Sequence, residues 1–354
     1  MSIFEHMRKN NSRELSFFEE QSLKLKVIIA IDSVVLGPAN AGAKLQLYSK
    51  EDDAIADALD IAYYNSLRAA LLRRSLGGAS IVLIGDPDKV KSEMYFRALG
   101  VFLNRWNGKL YMSKSKGVSY KDLNFARRES KYILGMEESH GGLGKIYVNR
   151  AKGMIHGMRA AAKHKLNTNT LKGLNIVVQG IGDLGSELVK QLIEEEANIT
   201  ITDKIYDRIK VVQDEVRDIK IEKPENIYNV ECDIFCSCAT EKLIDKQDLS
   251  KIKCKIMTGG TNQPLKNLKD VKILKQNDIL YVPGYIMNGG DIIQMTNEIE
   301  GYGADKVEHE LTDIYYNTLE LIRESSIHGT ELCDLATKKA EEYVTNVSAI
   351  KMMK

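Results

Sequence analysis

The sequence predicts a two-domain α/β protein: a mixed α/β N-terminal domain, a second domain built on a doubly wound parallel sheet, and a helical C-terminal tail. Three observations carry this. The chain has 354 residues, more than one hydrophobic core usually organises. Its periodicity changes near residue 146, from strands and helices in mixed order to a regular strand–helix alternation. A G-x-G-x-x-G segment joins one of those later strands to a helix.

In the first part, Leu25–Ile31 is a β-branched run suited to a strand, and Glu51–Leu72 carries apolar residues at helical spacing. Ile81–Ile84 is a short buried strand closed by Gly85-Asp86-Pro87, followed by a helix over Lys89–Trp106 and a strand at Lys109–Met112. In the second part a helix over Val148–Lys165 leads into a strand at Leu174–Gln179, a helix at Leu184–Glu195 and a strand at Asn198–Thr202. Short apolar strands recur at Asp233–Cys236, Lys255–Met257 and Ile279–Val282, the pattern of a parallel sheet covered on both faces. The tail, Asp291–Thr345, is helical in period, with Gly329 separating two long helices. The expected division is residues 1–145, joined by a returning helix at about 329–354, and residues 146–328. There is no internal repeat and no low-complexity segment.

Charge and composition exclude several functions. With 50 basic and 49 acidic side chains the formal net charge is +1, so no long-range field gathers nucleic acid or anionic lipid. No stretch approaches the roughly 18 consecutive apolar residues of a membrane span, and the polar N-terminus lacks the features of an export signal. A soluble cytoplasmic protein acting on a small molecule is expected. The five cysteines, Cys232, Cys236, Cys238, Cys254 and Cys333, are odd in number and clustered, unlike a disulfide framework. Cys236 and Cys238 have neither zinc-knuckle spacing nor a nearby histidine, so no metal is expected and the thiols read as buried and reduced.

The strand Ile176-Val177-Val178-Gln179 runs into Gly180-Ile181-Gly182-Asp183-Leu184-Gly185 and then a helix, the Rossmann dinucleotide fingerprint in its proper context. Gly180 permits the tight turn, Gly182 lets backbone approach a pyrophosphate, and Gly185 lets the helix pack on the strand. The helix N-terminus adds unpaired N–H groups and partial positive charge. Asp203, 18 residues beyond Gly185 at the end of the next strand, suits ribose hydroxyls and repels a 2′-phosphate, which favours NAD over NADP. Lys204 beside it is the one local feature that would help hold a phosphate.

Residues outside the fingerprint complete a resemblance. Gly37-Pro38-Ala39-Asn40-Ala41-Gly42, Leu76-Gly77-Gly78-Ala79-Ser80, Ile84-Gly85-Asp86-Pro87, Val230-Glu231-Cys232-Asp233-Ile234, Thr261-Asn262-Gln263 and Val282-Pro283-Gly284-Tyr285-Ile286-Met287-Asn288-Gly289-Gly290 together resemble the leucine dehydrogenase branch of the leucine/phenylalanine/valine/glutamate dehydrogenase family. The likeness runs collinearly from about Leu23 to Gly329. It implies an N-terminal substrate-binding and oligomerisation domain, a Rossmann domain using NAD, and a homo-oligomer of dimers or multiples of dimers. It also implies oxidation of an L-amino acid to an imino acid, then hydrolysis to a keto acid and ammonia. In that family one lysine holds the substrate carboxylate, a second activates water, and an aspartate assists.

The resemblance places Arg68 at the carboxylate-binding lysine, a cation suited to a bidentate grip. It places Ser80 at the water-activating lysine and Ser115, within Ser113-Lys114-Ser115-Lys116-Gly117-Val118, at the aspartate. Arg150 stands at a family threonine, and Arg73 and Arg74 replace small or apolar residues. Asn40, Ala41, Gly42, Asn288 and the apolar pair Ile292 and Met295 match substrate-side positions; Asn262 matches a position near the nicotinamide, and Ala239 and Thr240 match the turn beside the dinucleotide. Asp291, in place of a glycine at a helix start, reads as an N-cap.

Losing one general acid or base costs about 10²–10⁴ in rate, so ordinary oxidative deamination should be all but abolished. The expected function is therefore a NAD-dependent oxidoreductase acting on an amine, imine or carbonyl of an amino-acid-like substrate. The alternative is a NAD-binding pseudoenzyme that serves as a structural or sensing subunit. Lys114 or Lys116 replacing the missing lysine is a third reading, with His140 and His156 as candidate proton donors.

Overall fold

The computed structural model describes residues 3–9, 13–216, 219–240 and 243–353. They divide into two compact units: residues 1–146, 292–304 and 339–354, and residues 147–291 and 305–338. The return to the first unit thus begins at Lys339 rather than near 329, and residues 292–304 also join it. The reason is apolar packing: Ile292 and Met295 share a buried cluster with Ala69, Leu76, Leu134 and Ile146.

The first unit is organised by a five-stranded sheet of β1 (Glu14–Glu20), β2 (Leu25–Ser33), β3 (Ala39–Gln46), β4 (Gly77–Ile84) and β5 (Leu110–Lys114). The order is β1-β2-β4-β3-β5; β2 is antiparallel to β1 and β4, whereas β3 is parallel to β4 and β5. The Glu51–Leu71 helix lays Ala54, Ile55, Ala58, Leu59 and Ala62 against Ile28, Ala30 and Val82. Alanines one turn apart let its backbone come close to the sheet, and each buried Leu or Ile adds about 1.5–3 kcal/mol. Its acidic first turn, Glu51, Asp52 and Asp53, complements the helix dipole. The helix expected over Lys89–Trp106 is two helices, Pro87–Val90 and Glu93–Leu103. Ser92 ends the first path and caps the second by accepting from the Tyr95 N–H at 3.1 Å.

Among the described residues the second unit carries a six-stranded sheet: β6 (Asn175–Gln179), β7 (Asn198–Thr202), β8 (Lys220–Ile221), β9 (Ile234–Ser237), β10 (Ile256–Gly259) and β11 (Leu280–Tyr281). All pairings are parallel in the order β11-β10-β9-β6-β7-β8. The order reverses between β9 and β6, the switch point at which ligands bind in such sheets. Val177, Phe235 and Met257 share one face of the core with Ile227, Leu249 and Leu274. The tail forms three helices rather than two, Gly290–Glu300, Ala304–His328 and Leu332–Lys351. Gly301 and Gly329, at φ +78° and +66°, supply the left-handed residues that end the first two. No helix among the described residues is long and apolar enough to cross a membrane.

Candidate functional site

The fingerprint loop occupies the carboxyl end of β6. Gly180 has φ +95°, and a Cβ there would stand 2.7 Å from the Ala239 nitrogen, in the turn after β9; only glycine meets both demands. A Cβ at Gly185 would overlap the Gly180 carbonyl, whereas one at Gly182 would meet nothing within 4 Å. Gly185 is therefore needed for packing, and Gly182 faces open space at the start of the Asp183–Glu194 helix, where a diphosphate fits. Asp183 is exposed and Leu184 half-buried beside this opening, and Thr240 is exposed just beyond Ala239.

Asp203 lies just past β7. Its Oδ2 accepts the Ile181 N–H at 2.6 Å and its Oδ1 the Ile205 N–H at 2.8 Å, so the carboxylate is aimed at the loop with lone pairs remaining for ribose hydroxyls. Lys204 is exposed, and Arg208, which the sequence reading did not single out, stands 3.7 Å from Asp203 Oδ2. NAD is the cofactor this geometry fits.

A second cluster in the same unit surrounds the Gly260 carbonyl after β10. It accepts from Arg150 Nη2 at 3.1 Å and from Asn288 Nδ2 at 3.0 Å, and Asn288 Nδ2 also reaches Asn262 Oδ1 at 3.2 Å. The structure thus brings together Arg150, Asn262 and Asn288. Arg150 Nη1 lies 3.9 Å from Asp291 Oδ2. Asp291 sits inside the first turn of the helix that begins at Gly290, and its carboxylate is an ion-pair partner of Arg150. His156 is held below its ordinary pKa by burial and by Arg159, which keeps it neutral near pH 7.

In the first unit, Arg68 lies buried in the last turn of the Glu51–Leu71 helix and donates to Asn65 Oδ1 at 3.1 Å; Asn65 Nδ2 in turn donates to the Ala79 carbonyl at 2.9 Å. Asn65, three residues earlier on the same helix face, links Arg68 to β4 and is legible only once the helix is known. Asn40, Ala41 and Gly42 lie on β3, with Asn40 paired to Gly78 and Gly42 to Ser80. Among the described residues no hydrogen bond reaches the buried Asn40 Oδ1.

Ser80 is 0 % exposed, and its hydroxyl donates to the Ala58 carbonyl at 2.6 Å. Ser115 lies beside Gly42, its Cβ 3.2 Å from where a Cβ on that glycine would stand. Lys114 lies over the Tyr120 ring at 5.6 Å, and Lys116 is exposed. His140 is held at the surface by Asn124 at 3.1 Å and Ser139 at 3.0 Å. Arg73, at φ 52°, places its guanidinium over the Tyr343 ring at 5.9 Å. Among the described residues no group of His, Cys, Asp and Glu side chains is arranged to hold a metal.

A parallel sheet with a glycine loop at its switch point, an acidic residue aimed at that loop and a separate mixed α/β unit define a two-domain NAD-binding dehydrogenase. The chain belongs to the glutamate/leucine/phenylalanine/valine dehydrogenase family: residues 141–340 match the family's dehydrogenase domain and residues 18–139 its dimerisation domain. It is 33 % identical over 344 residues to the leucine dehydrogenase of Thermoactinomyces intermedius, covering 97 % of this chain and 94 % of that protein. With the phenylalanine dehydrogenase of Lysinibacillus sphaericus it shares 30 % identity over 94 % of this chain and 89 % of that one. The crystal structure of L-tryptophan dehydrogenase from Nostoc punctiforme superposes with a TM-score of 0.78 at 26 % identity, over 98 % of this chain and 100 % of that one.

Proposed function

We propose that this protein is a NAD-dependent oxidoreductase acting on the amine or imine carbon of an amino-acid-like substrate, without the water activation that ordinary oxidative deamination requires. Bound NAD supplies the hydride acceptor or, reduced, the donor. The chain's residues hold and orient: Arg68, fixed by Asn65, takes the substrate carboxylate in a charge-assisted grip, and Asn40 offers the polar contact beside it. Arg150, Asn262 and Asn288 order the region after β10, and Ile292 and Met295 accommodate the side chain.

The observation that carries the reading is Ser80. At the position the resemblance gives to a water-activating lysine, the side chain is an alcohol committed to the Ala58 carbonyl and sealed from solvent. An alcohol with a pKa far above neutrality is no general base for water. Hydride transfer needs chiefly orientation of cofactor and substrate, which this loss does not touch. An imine formed by oxidation is released and hydrolyses in solution; in the other direction a preformed imine is reduced. We further assign the protein to the cytoplasm and to a homo-oligomer built from dimers.

The commitment of Arg150 to Gly260 and Asp291 favours a second reading, a NAD-binding subunit without turnover. NADH titration, followed by assay of 2-oxo acids with ammonia or methylamine and of L-amino acids with NAD, tests both. Binding with imine reduction far exceeding amino-acid deamination supports the enzyme; binding without turnover leaves the second reading; deamination at ordinary dehydrogenase rates overturns the loss of water activation.

A further inference from the structure

Cys236 lies on β9, between β6 and β10 at the centre of the six-stranded sheet. Cys238 follows two residues later, and its N–H continues the ladder by donating to the Gln179 carbonyl at 2.7 Å. Along such an extended stretch residues i and i+2 share a side, and the two sulfurs are 3.9 Å apart. Cys236 is buried and Cys238 partly exposed.

Cys238 is also built into the dinucleotide loop. A Cβ at Gly180 would stand 2.9 Å from the Cys238 carbonyl carbon, and one at Gly260 would stand 2.8 Å from its sulfur. Cys238 therefore sits between the fingerprint turn, which its backbone meets, and the Gly260 turn, which its sulfur meets and whose carbonyl Arg150 and Asn288 hold. The two sulfurs differ in character. Contact with the Cys236 thiol, opposed by burial and helped by the Gly260 backbone and the Arg150 charge, draws Cys238 below the ordinary thiol pKa. The same contact, together with burial, pushes Cys236 well above it. One sulfur is thus the better nucleophile and the other a protonated neighbour able to condense with it.

We propose that Cys236 and Cys238 form a site of reversible oxidation by hydroperoxides, and that the disulfide deforms the fingerprint loop and weakens NAD(H) binding. The Cys238 thiolate attacks the peroxide O–O bond, giving Cys238–SOH and releasing an alkoxide or hydroxide that takes up a proton. The Cys236 thiol then attacks the sulfenic sulfur, forming the S–S bond and releasing water. Two thiols are oxidised and one peroxide is reduced. Closing from 3.9 Å to a bonded distance of about 2.05 Å requires nearly 2 Å of movement. Cys236 is pinned by strands on both sides, so the Cys238 end yields, and its backbone is the surface against which Gly180 packs. The remaining thiols make an internal control: Cys232, Cys254 and Cys333 are buried in the apolar core, where burial pushes Cys254 and Cys333 up to about 12 and Cys232 higher still.

The test is stoichiometric hydrogen peroxide on the full-length reduced protein, quenched in acid and unfolded for thiol counting and peptide mass analysis, with NADH binding followed in parallel. The expected result is a fall from five thiols to three, a peptide carrying Cys236 and Cys238 lighter by two hydrogens, and an NADH affinity lower by about tenfold that dithiothreitol restores. Linkage makes this reciprocal: in a glutathione buffer saturating NADH shifts the pair toward the dithiol by the same factor, about 30 mV for a two-electron couple. C236A stops at a dimedone-reactive sulfenic acid on Cys238, and C238A gives neither product. The proposal fails if peroxide consumes Cys232, Cys254 or Cys333 first, if no disulfide peptide forms, or if the disulfide forms with NADH affinity unchanged. Absence of NADH binding in the reduced protein would count against the cofactor assignment and against the coupling, while the thiol count still decides the oxidation chemistry.

Discussion

Two glycine-rich segments, one in each unit, look alike on paper and do different things. Gly180–Gly185 begins where β6 ends, and its middle glycine faces open space. Gly77-Gly78-Ala79-Ser80 lies wholly within β4, where a Cβ on Gly77 would overlap the Ser33 carbonyl and one on Gly78 would overlap Ser66. In the first set Gly180 and Gly185 admit neighbouring backbone while Gly182 leaves open space; in the second both glycines admit only the protein itself. The contrast teaches that a glycine motif is read by where its strand stops. A loop past a strand end is free to meet a phosphate, whereas the same residues inside a ladder let neighbouring backbone approach.

The contrast breaks most dramatically if chemistry can be built into β4. The double variant S80K/S115D restores the residues that the resemblance associates with water activation. Because each such group is worth about 10²–10⁴ in rate, deamination of L-amino acids should rise by at least the lower figure. Steady-state NADH production with a panel of aliphatic and aromatic L-amino acids reads this directly. Unchanged deamination in a folded double variant would mean that the sealed geometry around Ala58, and not residue identity, sets the barrier. On the other side of the comparison, G185A drives a methyl into the Gly180 carbonyl. Backbone strain of about 1–3 kcal/mol should weaken NADH binding toward a hundredfold while leaving the first unit intact, as fluorescence titration and circular dichroism would report. Wild-type affinity in G185A would show that the loop is softer than its packing indicates.

Much of this was legible because it is local. The fingerprint declares itself by glycines within six residues of one another, and β9 and β10 are short apolar runs that read as buried parallel strands. The strand β3 carries Asn40 and Gly42 yet reads Ala-Asn-Ala-Gly-Ala-Lys-Leu-Gln, with little strand propensity. Its extended form comes from pairing on both sides with β4 and β5, and no window along the sequence contains that information. The same holds for Arg150: as a sequence position it is a free cation for a substrate, but its partners Gly260 and Asp291 lie more than a hundred residues away in the chain. The resemblance marks Ser80 as a position of interest, but its sealed hydroxyl was illegible, since Ala58 sits on a helix whose register against β4 only the fold sets. A smaller test sharpens the site in this unit. On the proposed grip of Arg68 on a substrate carboxylate, R68A removes a charge-assisted contact worth about 1.5–3 kcal/mol, so KM for an anionic substrate should rise roughly thirtyfold, with a smaller effect on the same scaffold lacking the carboxylate. Equal effects on both would move the carboxylate grip elsewhere.

The smallest expected effect concerns a group that no motif flags. Asp32, near the end of β2, is 9 % exposed, and burial raises its carboxyl to about 6, with Ser66 and the Arg13 charge holding it back and Glu341 adding to the rise. A carboxyl whose folded pKa lies above its unfolded value binds its proton more tightly in the folded chain. Its stabilising contribution is therefore present below pH 4 and is lost as pH rises through about 6. Above that the ionised, buried carboxylate is a liability, bounded at roughly 3 kcal/mol by the rise to about 6. D32N keeps the shape and removes the charge, so at pH 7.5 it should be more stable than the parent by about 1–2 kcal/mol, with the difference vanishing near pH 4. Urea midpoints at the two pH values measure this. If D32N is instead weaker at pH 7.5, attraction between ionised Asp32 and Arg13 outweighs the burial cost, and this unit too would hold a charge that its fold has been shaped to use.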